Sequence, residues 1–199
     1  MNTKKRINAR MIAVVGVLTA VAVVLQYLEI SIPIVPSFLK LDFSDLPALL
    51  GAFAFGPLAG VLIQLLKNLI HLAVSQSGFV GELSNFLLGA TFVLVAGLIY
   101  QHKKTKANAL LAGVLGAAAM AIVSVPVNYF VIYPLYYSVL GFPEVAVLNM
   151  YQAILPSVRN MLEALLIFNL PFTLVKGLIS VAVSMLIYKP LSPLFKGKR

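Results

Sequence analysis

Four groups of polar residues interrupt otherwise apolar stretches, and each falls on one face of a helix at about 100° per residue. Gln64, Lys67, Asn68, His71 and Ser75 share one arc. Glu82, Asn85 and Gly89 share another, and Ser124 lies one turn from Asn128. Asn169, Thr173, Lys176 and Ser180 run at i, i+4, i+7 and i+11. Amides, ammonium groups and a carboxylate on facing stripes suit hydrogen bonding to a polar ligand. Bond-breaking patterns are missing. The sequence has no cysteine, no G-x-S-x-G, no H-E-x-x-H and no G-x-x-x-x-G-K-[ST] phosphate loop. Two histidines, His71 and His102, are thin for a metal set. Asp42 and Asp45 read as helix-start residues, with Asp45 capping a helix that opens at Leu46-Pro47. No catalytic residue, metal or cofactor is expected, the chain cannot itself hydrolyse ATP, and any uphill movement would need an energy source from a partner or an ion gradient.

Each polar residue also has a plainer explanation. Lys67 and His71 could sit near a helix end and snorkel to the interface. Ser124 and Ser180 are expected to bond back to their own helix. Asn128 and Lys176 are flanked by long apolar runs and need partners, either a ligand or, for the lysine, an internal pair with a glutamate. Phe38, Phe43, Tyr129, Tyr133, Tyr136, Tyr137 and Tyr151 form either an interfacial belt or a stacking surface. Pro171 could kink the last stripe and free a carbonyl.

The elements that carry these groups must lie in a membrane. Of 199 residues, 61% are hydrophobic and 11% charged, with a mean hydropathy of +0.99. A soluble domain is roughly 45–50% apolar and about 25% charged, so the excess here has to face lipid. That excludes a soluble enzyme, a nucleic-acid binder and a secreted disulfide scaffold. Apolar segments occur at about 11–28, 46–55, 57–74, 84–101, 107–133 and 169–189, with Gly56-Pro57 splitting the second from the third. The first is too long for a signal h-region and is read as retained. Three cationic clusters hold eleven of the fifteen Lys and Arg: Lys4, Lys5, Arg6 and Arg10; Lys103, Lys104 and Lys106; Lys189, Lys196, Lys198 and Arg199. Only six crossings put all three in the cytoplasm, as the positive-inside rule asks. The reading is an all-α integral membrane protein, one membrane domain over 1–199, with six transmembrane helices, both termini cytoplasmic and a short second span. The net charge of +9 is thereby assigned to topology. Residues 157–168 read as helical, with Arg159 and Glu163 at i, i+4. Ala13, Gly16 and Ala20 place small residues on the first span, for internal packing or for a partner helix.

Several motifs together resemble a known family: Leu41-Asp42-Phe43-Ser44-Asp45-Leu46-Pro47-Ala48-Leu49-Leu50-Gly51, then Phe55-Gly56-Pro57-Leu58-Ala59-Gly60, then Lys67-Asn68-Leu69. They resemble the substrate-binding S components of energy-coupling-factor (ECF) vitamin transporters. Gly81-Glu82-Leu83-Ser84-Asn85-Phe86, Asn128-Tyr129-Phe130 with Pro134-Leu135-Tyr136, and Pro171-Phe172-Thr173-Leu174-Val175-Lys176-Gly177 are similar to its riboflavin-binding member. The resemblance implies a multi-pass protein of the bacterial cell membrane that binds riboflavin from outside. It also implies a transmembrane coupling subunit and two cytoplasmic ATPase subunits as partners. Carried over residue by residue, it points to Leu41, Asp42, Phe43, Glu82, Asn85, Asn128, Thr173 and Lys176 for the ligand. Ala13, Gly16 and Ala20 would be the docking surface, with Gly16 where the family carries alanine. Thr173 stands where many relatives carry asparagine, offering a hydroxyl rather than an amide. Competing readings are an S component for another vitamin or precursor, a stand-alone ion-coupled carrier, and a membrane-embedded hydrolase.

Overall fold

The computed structural model describes residues 9–141 and 143–196. Of the cationic clusters, residues 4–6 and 198–199 lie outside that description. The first helix, α1 (Ala9–Tyr27), leads into a small antiparallel hairpin. Its strands β1 (Ile30–Ser31) and β2 (Lys40–Leu41) pair Ile30 with Leu41 and Ser31 with Lys40. Then α2 (Asp45–Phe55) and α3 (Pro57–His71) meet at Gly56, whose φ of 103° suits a residue without Cβ. Pro57 opens α3 at the position where a missing N–H costs nothing. α4 (Val80–His102) and α5 (Lys106–Val127) follow, and the Thr105 hydroxyl caps α5 by accepting from the Asn108 N–H at 3.3 Å. α5 continues through a π-helical turn (Asn128–Ile132) into α6 (Tyr133–Val139). After α7 (Glu144–Gln152), α8 (Met161–Ala164) passes through a second π turn (Leu165–Asn169) into α9 (Leu170–Lys196).

The two π turns share a cause. Tyr133 N–H donates to the Asn128 carbonyl and Leu170 N–H to the Leu165 carbonyl, each five residues back. The next residue in each case is a proline, Pro134 or Pro171. Proline cannot donate, and its ring crowds the carbonyl four residues back, so a widened turn absorbs the conflict. The expected disruption at Pro171 thus takes the form of a local change of register, within a stretch that stays helical.

Two local expectations are corrected. Residues 157–160 are not helical; the helix starts at Met161, where the Asn160 side chain caps it by accepting from Glu163 N–H at 2.9 Å. Arg159 still reaches Glu163, at 3.2 Å. Asp45 does not cap α2 but lies in its first turn. Its carboxylate turns inward to side chains of α3.

Among the described residues, five stretches are long and apolar enough to cross a membrane: Ala9–Tyr27, Pro57–Val74, Val80–His102, Lys106–Val139 and Met161–Tyr188. α2 is shorter, at 11 residues, a rise of about 16 Å against ~30 Å of hydrocarbon. It can be short because it is enclosed, packing on α1, α3, α4 and α9 with Ala48, Leu49, Ala52 and Phe53 buried. Lipid offers no hydrophobic drive between helices, so close contact has to hold them together. Small residues provide it. A Cβ on Gly60 of α3 would lie 2.8 Å from the Ala52 Cβ, and one on Gly116 of α5 would lie 2.8 Å from the Phe92 carbonyl oxygen of α4. Large side chains such as Leu58, Ile122, Phe130 and Leu186 point outward instead.

Candidate functional site

The turn between β2 and α2 folds back on its own side chain. Asp42 Oδ1 accepts from the Ser44 N–H at 2.8 Å and from the Ser44 hydroxyl. This turn aims two carboxylates, Asp42 and Asp45, into the bundle, where both are buried. Two lysines from distant helices meet them. Lys176 of α9 donates to Asp42 Oδ2 at 2.8 Å and lies 3.7 Å from Asp45 Oδ2. Lys67 of α3 donates to Asp45 Oδ1 at 2.9 Å and to the Ser44 hydroxyl. Gln64 adds a bond to Asp45 at 2.9 Å, and Asn85 Oδ1 accepts from Lys176 at 3.4 Å. Burial pushes the Asp42 carboxyl up, but the Lys176 and Lys67 ammonium groups outweigh it and hold it below its ordinary value. The cluster is two charges of each sign, closely matched. Lys67, wholly buried, does not snorkel.

A second cluster gathers around Glu82. His71 Nδ1 lies 3.0 Å from Oε1, and the hydroxyls of Ser75 and Ser77 donate to Oε2 at 2.8 and 3.1 Å. The connection is bent into place by Gly78 and Phe79, both with positive φ, 54° and 72°. Both hydroxyls face the carboxylate and neither pairs with the imidazole, so no serine is set up as a nucleophile there. Ser124 and Ser180 bond back to carbonyls of Ala121 and Lys176, as expected of them. At the far side Tyr133, Tyr151 and Asn169 close a triangle. Tyr151 donates to Asn169 Oδ1 at 2.6 Å, Asn169 Nδ2 to the Tyr133 hydroxyl at 3.0 Å, and the two phenols touch. The Phe38 ring packs against Tyr133, Tyr136 and Tyr151, with centroids 5.8–6.3 Å apart.

Between these clusters lies a cavity of about 640 Å³, within the ~300–1,000 Å³ range of small-molecule sites. Asp42, Glu82, Asn85, Asn128, Thr173 and Lys176 line it; Leu41 and Phe43 do not. Its wall also includes Gln26, Phe38, His71, Tyr133, Tyr136 and Phe172. The charged groups at its edge are already paired, Lys40 with Glu29 among them.

Residues 10–188 match the family described as ECF transporter, substrate-specific component. The chain belongs to that family. The S component described here is 33% identical to a riboflavin transporter, RibU, of Staphylococcus aureus, over 98% of its own length and 99% of the relative's. It is 30% identical to a riboflavin transporter, FmnP, of Bacillus subtilis, over 96% and 97%. A solved S component of a bacterial ECF transporter superimposes with a TM-score of 0.73 at 33% identity, covering 96% of this chain and 98% of that one. These relatives are transporter components and not enzymes.

Three wall residues of this S component had a weak signal in the sequence. Gln26 is one of two polar interruptions in its apolar run, next to the last residue of α1. Tyr133 and Phe172 are aromatic neighbours of Pro134 and Pro171. The π turns beside those prolines shift the helical phase, which regular 100° spacing does not anticipate.

Proposed function

We propose that this S component captures riboflavin from outside the cell for ATP-driven uptake by partner subunits. The observation that carries the reading is convergence. Asp42, Glu82, Asn85, Asn128, Thr173 and Lys176, up to 134 positions apart in sequence, line one cavity beside an aromatic wall. The riboflavin transporters among its relatives support the choice of ligand. An isoalloxazine ring is flat, with an apolar dimethylbenzene end and a polar edge of carbonyl acceptors and an imide N–H. Phe38, Tyr133, Tyr136 and Phe172 suit the flat surface. Asn128 spends its Nδ2 on the Ser124 carbonyl at 2.7 Å, which leaves Oδ1 to accept from the imide. Lys176 can only donate, and a ring carbonyl suits it. Glu82 and Asn85 suit the ribityl hydroxyls, and the Thr173 hydroxyl adds a small polar group. Leu41 and Phe43 flank Asp42 and would act by holding the β2–α2 turn. Riboflavin is cargo; no cofactor is required, and no step of chemistry is assigned.

In this reading the chain is a single domain with six crossings, α2 being the short one, and both termini face the cytoplasm of a bacterial cell. A transmembrane coupling subunit and two ATPases complete the transporter. Ala13, Gly16 and Ala20 are exposed on α1, and a Cβ on Gly16 would meet nothing within 4 Å. Internal packing therefore leaves this surface open, and it suits the coupling subunit. In vesicles holding the full transporter, riboflavin accumulates only when ATP is present on the cytoplasmic side. Gly16→Leu is expected to bind riboflavin like the parent in isolation yet lose most ATP-driven uptake. Uptake equal to the parent would remove α1 from the docking surface.

A further inference from the structure

We infer that Glu29 is a specificity-determining residue: by pairing with Lys40 at the edge of the cavity it disfavours phosphorylated forms of the ligand against the free vitamin. The assignment rests on the riboflavin reading above and names what that site rejects. Four carboxylates line the cavity, those of Glu29, Asp42, Asp45 and Glu82. Against them stand the side chains of Lys40, Lys176 and His71. Even with His71 protonated, anions in the lining outnumber cations by four to three. Lys67 balances the sum from behind, since it donates to Asp45 but is not part of the lining. Each cation of the lining is engaged by a carboxylate: Lys176 by Asp42, His71 by Glu82 and Lys40 by Glu29. A phosphate monoester carries about −1.5 to −2 charges near pH 7. Entering this cavity it gives up water, meets cations already paired and faces like charge. An uncharged polyol meets no such repulsion, and the same carboxylates can accept from its hydroxyls.

Among these ion pairs, Glu29 with Lys40 is the one that sets the balance without also holding the fold. Asp42 and Asp45 anchor the β2–α2 turn to α3 and α9, and Glu82 gathers His71, Ser75 and Ser77. The Lys40 and Glu29 side chains keep 30% and 26% of their surface exposed, more than either partner in the other pairs of the lining. Both belong to the hairpin, Lys40 in β2 and Glu29 one residue before β1. One position beyond the Ile30–Leu41 pair, the two strands lead to Glu29 and Asp42, a carboxylate on each side. Lys176 answers the second of these, and Lys40 answers the first. Without Glu29 the Lys40 ammonium borders the cavity with no carboxylate bound to it, and a phosphate oxygen is a fitting acceptor for it.

The test compares riboflavin with its phosphate ester, which keeps the ring and the polyol and adds a charged group at the polyol's end. Parent chain and Glu29→Gln are titrated with each, following flavin fluorescence. The parent should prefer riboflavin, and Glu29→Gln should narrow that preference about tenfold, because it removes a like charge and frees a cation beside a doubly charged anion. Adding Lys40→Gln to Glu29→Gln should widen the preference again, a response that general loosening of the hairpin would not give. Lys40→Gln alone leaves Glu29 unmatched and should widen the preference beyond the parent's, so it decides the matter if Glu29→Gln binds no flavin. A parent without preference, or a preference that these variants leave unchanged, overturns the role of Glu29 alone. A parent chain that binds neither flavin overturns the riboflavin reading, and the exclusion with it.

Discussion

Lys176→Met should weaken riboflavin binding by on the order of a hundredfold. Its ammonium donates to Asp42 at 2.8 Å and borders the cavity. Hydrogen bonds to charged groups contribute about 1.5–3 kcal/mol, and every 1.4 kcal/mol is about tenfold in affinity. The variant also leaves Asp42 buried with one cation fewer, which distorts the turn that lines the site. A double variant separates these effects. Asp42→Asn with Lys176→Met removes the unmatched charge and should recover thermal stability, while riboflavin binding stays weak. Fluorescence titration and melting in detergent read the two quantities independently. Lys176→Met binding as tightly as the parent would remove the lysine from the site.

The largest loss of stability is expected at Lys67. Its side chain is wholly buried and its ammonium answers Asp45, which is itself 1% exposed. Taking one partner from a buried pair typically costs about 3–5 kcal/mol, because the remaining charge has no solvent to turn to. Asp45 keeps Gln64 at 2.9 Å and Lys176 at 3.7 Å, so the lower part of that range applies. For a chain of this size Lys67→Met should lower the melting temperature by about 10 °C. Adding Asp45→Asn should restore most of it, since the cost lies in the unmatched carboxylate. A single variant that melts with the parent would mean the pair is not formed in the folded protein.

Much of this arrangement could be read from residue types and spacing. The break between α2 and α3 was legible because Gly56-Pro57 combines a positive-φ residue with one that starts helices. The polar faces of α3 and α9 were legible because lipid leaves few reasons to keep Lys67, Asn68 or Lys176 in apolar runs. Their partners were not. Nothing in a helical wheel says that Lys67 answers Asp45 or that Lys176 answers Asp42, because both pairs depend on how α3 and α9 cross the β2–α2 turn. The Glu82 cluster needed the left-handed turn at Gly78 and Phe79 to bring Ser75 and Ser77 onto the carboxylate. Ser77 through Asn160 also show the limit of periodicity: helices there start and stop at caps and prolines, and the π turn that begins at Asn128 moves Tyr133 out of regular phase. Gln26 was visible only as an interruption, and its bond to Asn68 Oδ1 depends on how α1 packs on α3.

The most direct measurement is flavin binding by the purified chain in detergent. The sequence has no tryptophan, so the signal is the flavin itself: protein is titrated into riboflavin and its fluorescence followed. Stoichiometric quenching that excess thiamine and biotin fail to reverse is the predicted result. A monodisperse sample that leaves riboflavin fluorescence unchanged would contradict the ligand assignment and leave the S-component fold with a different cargo.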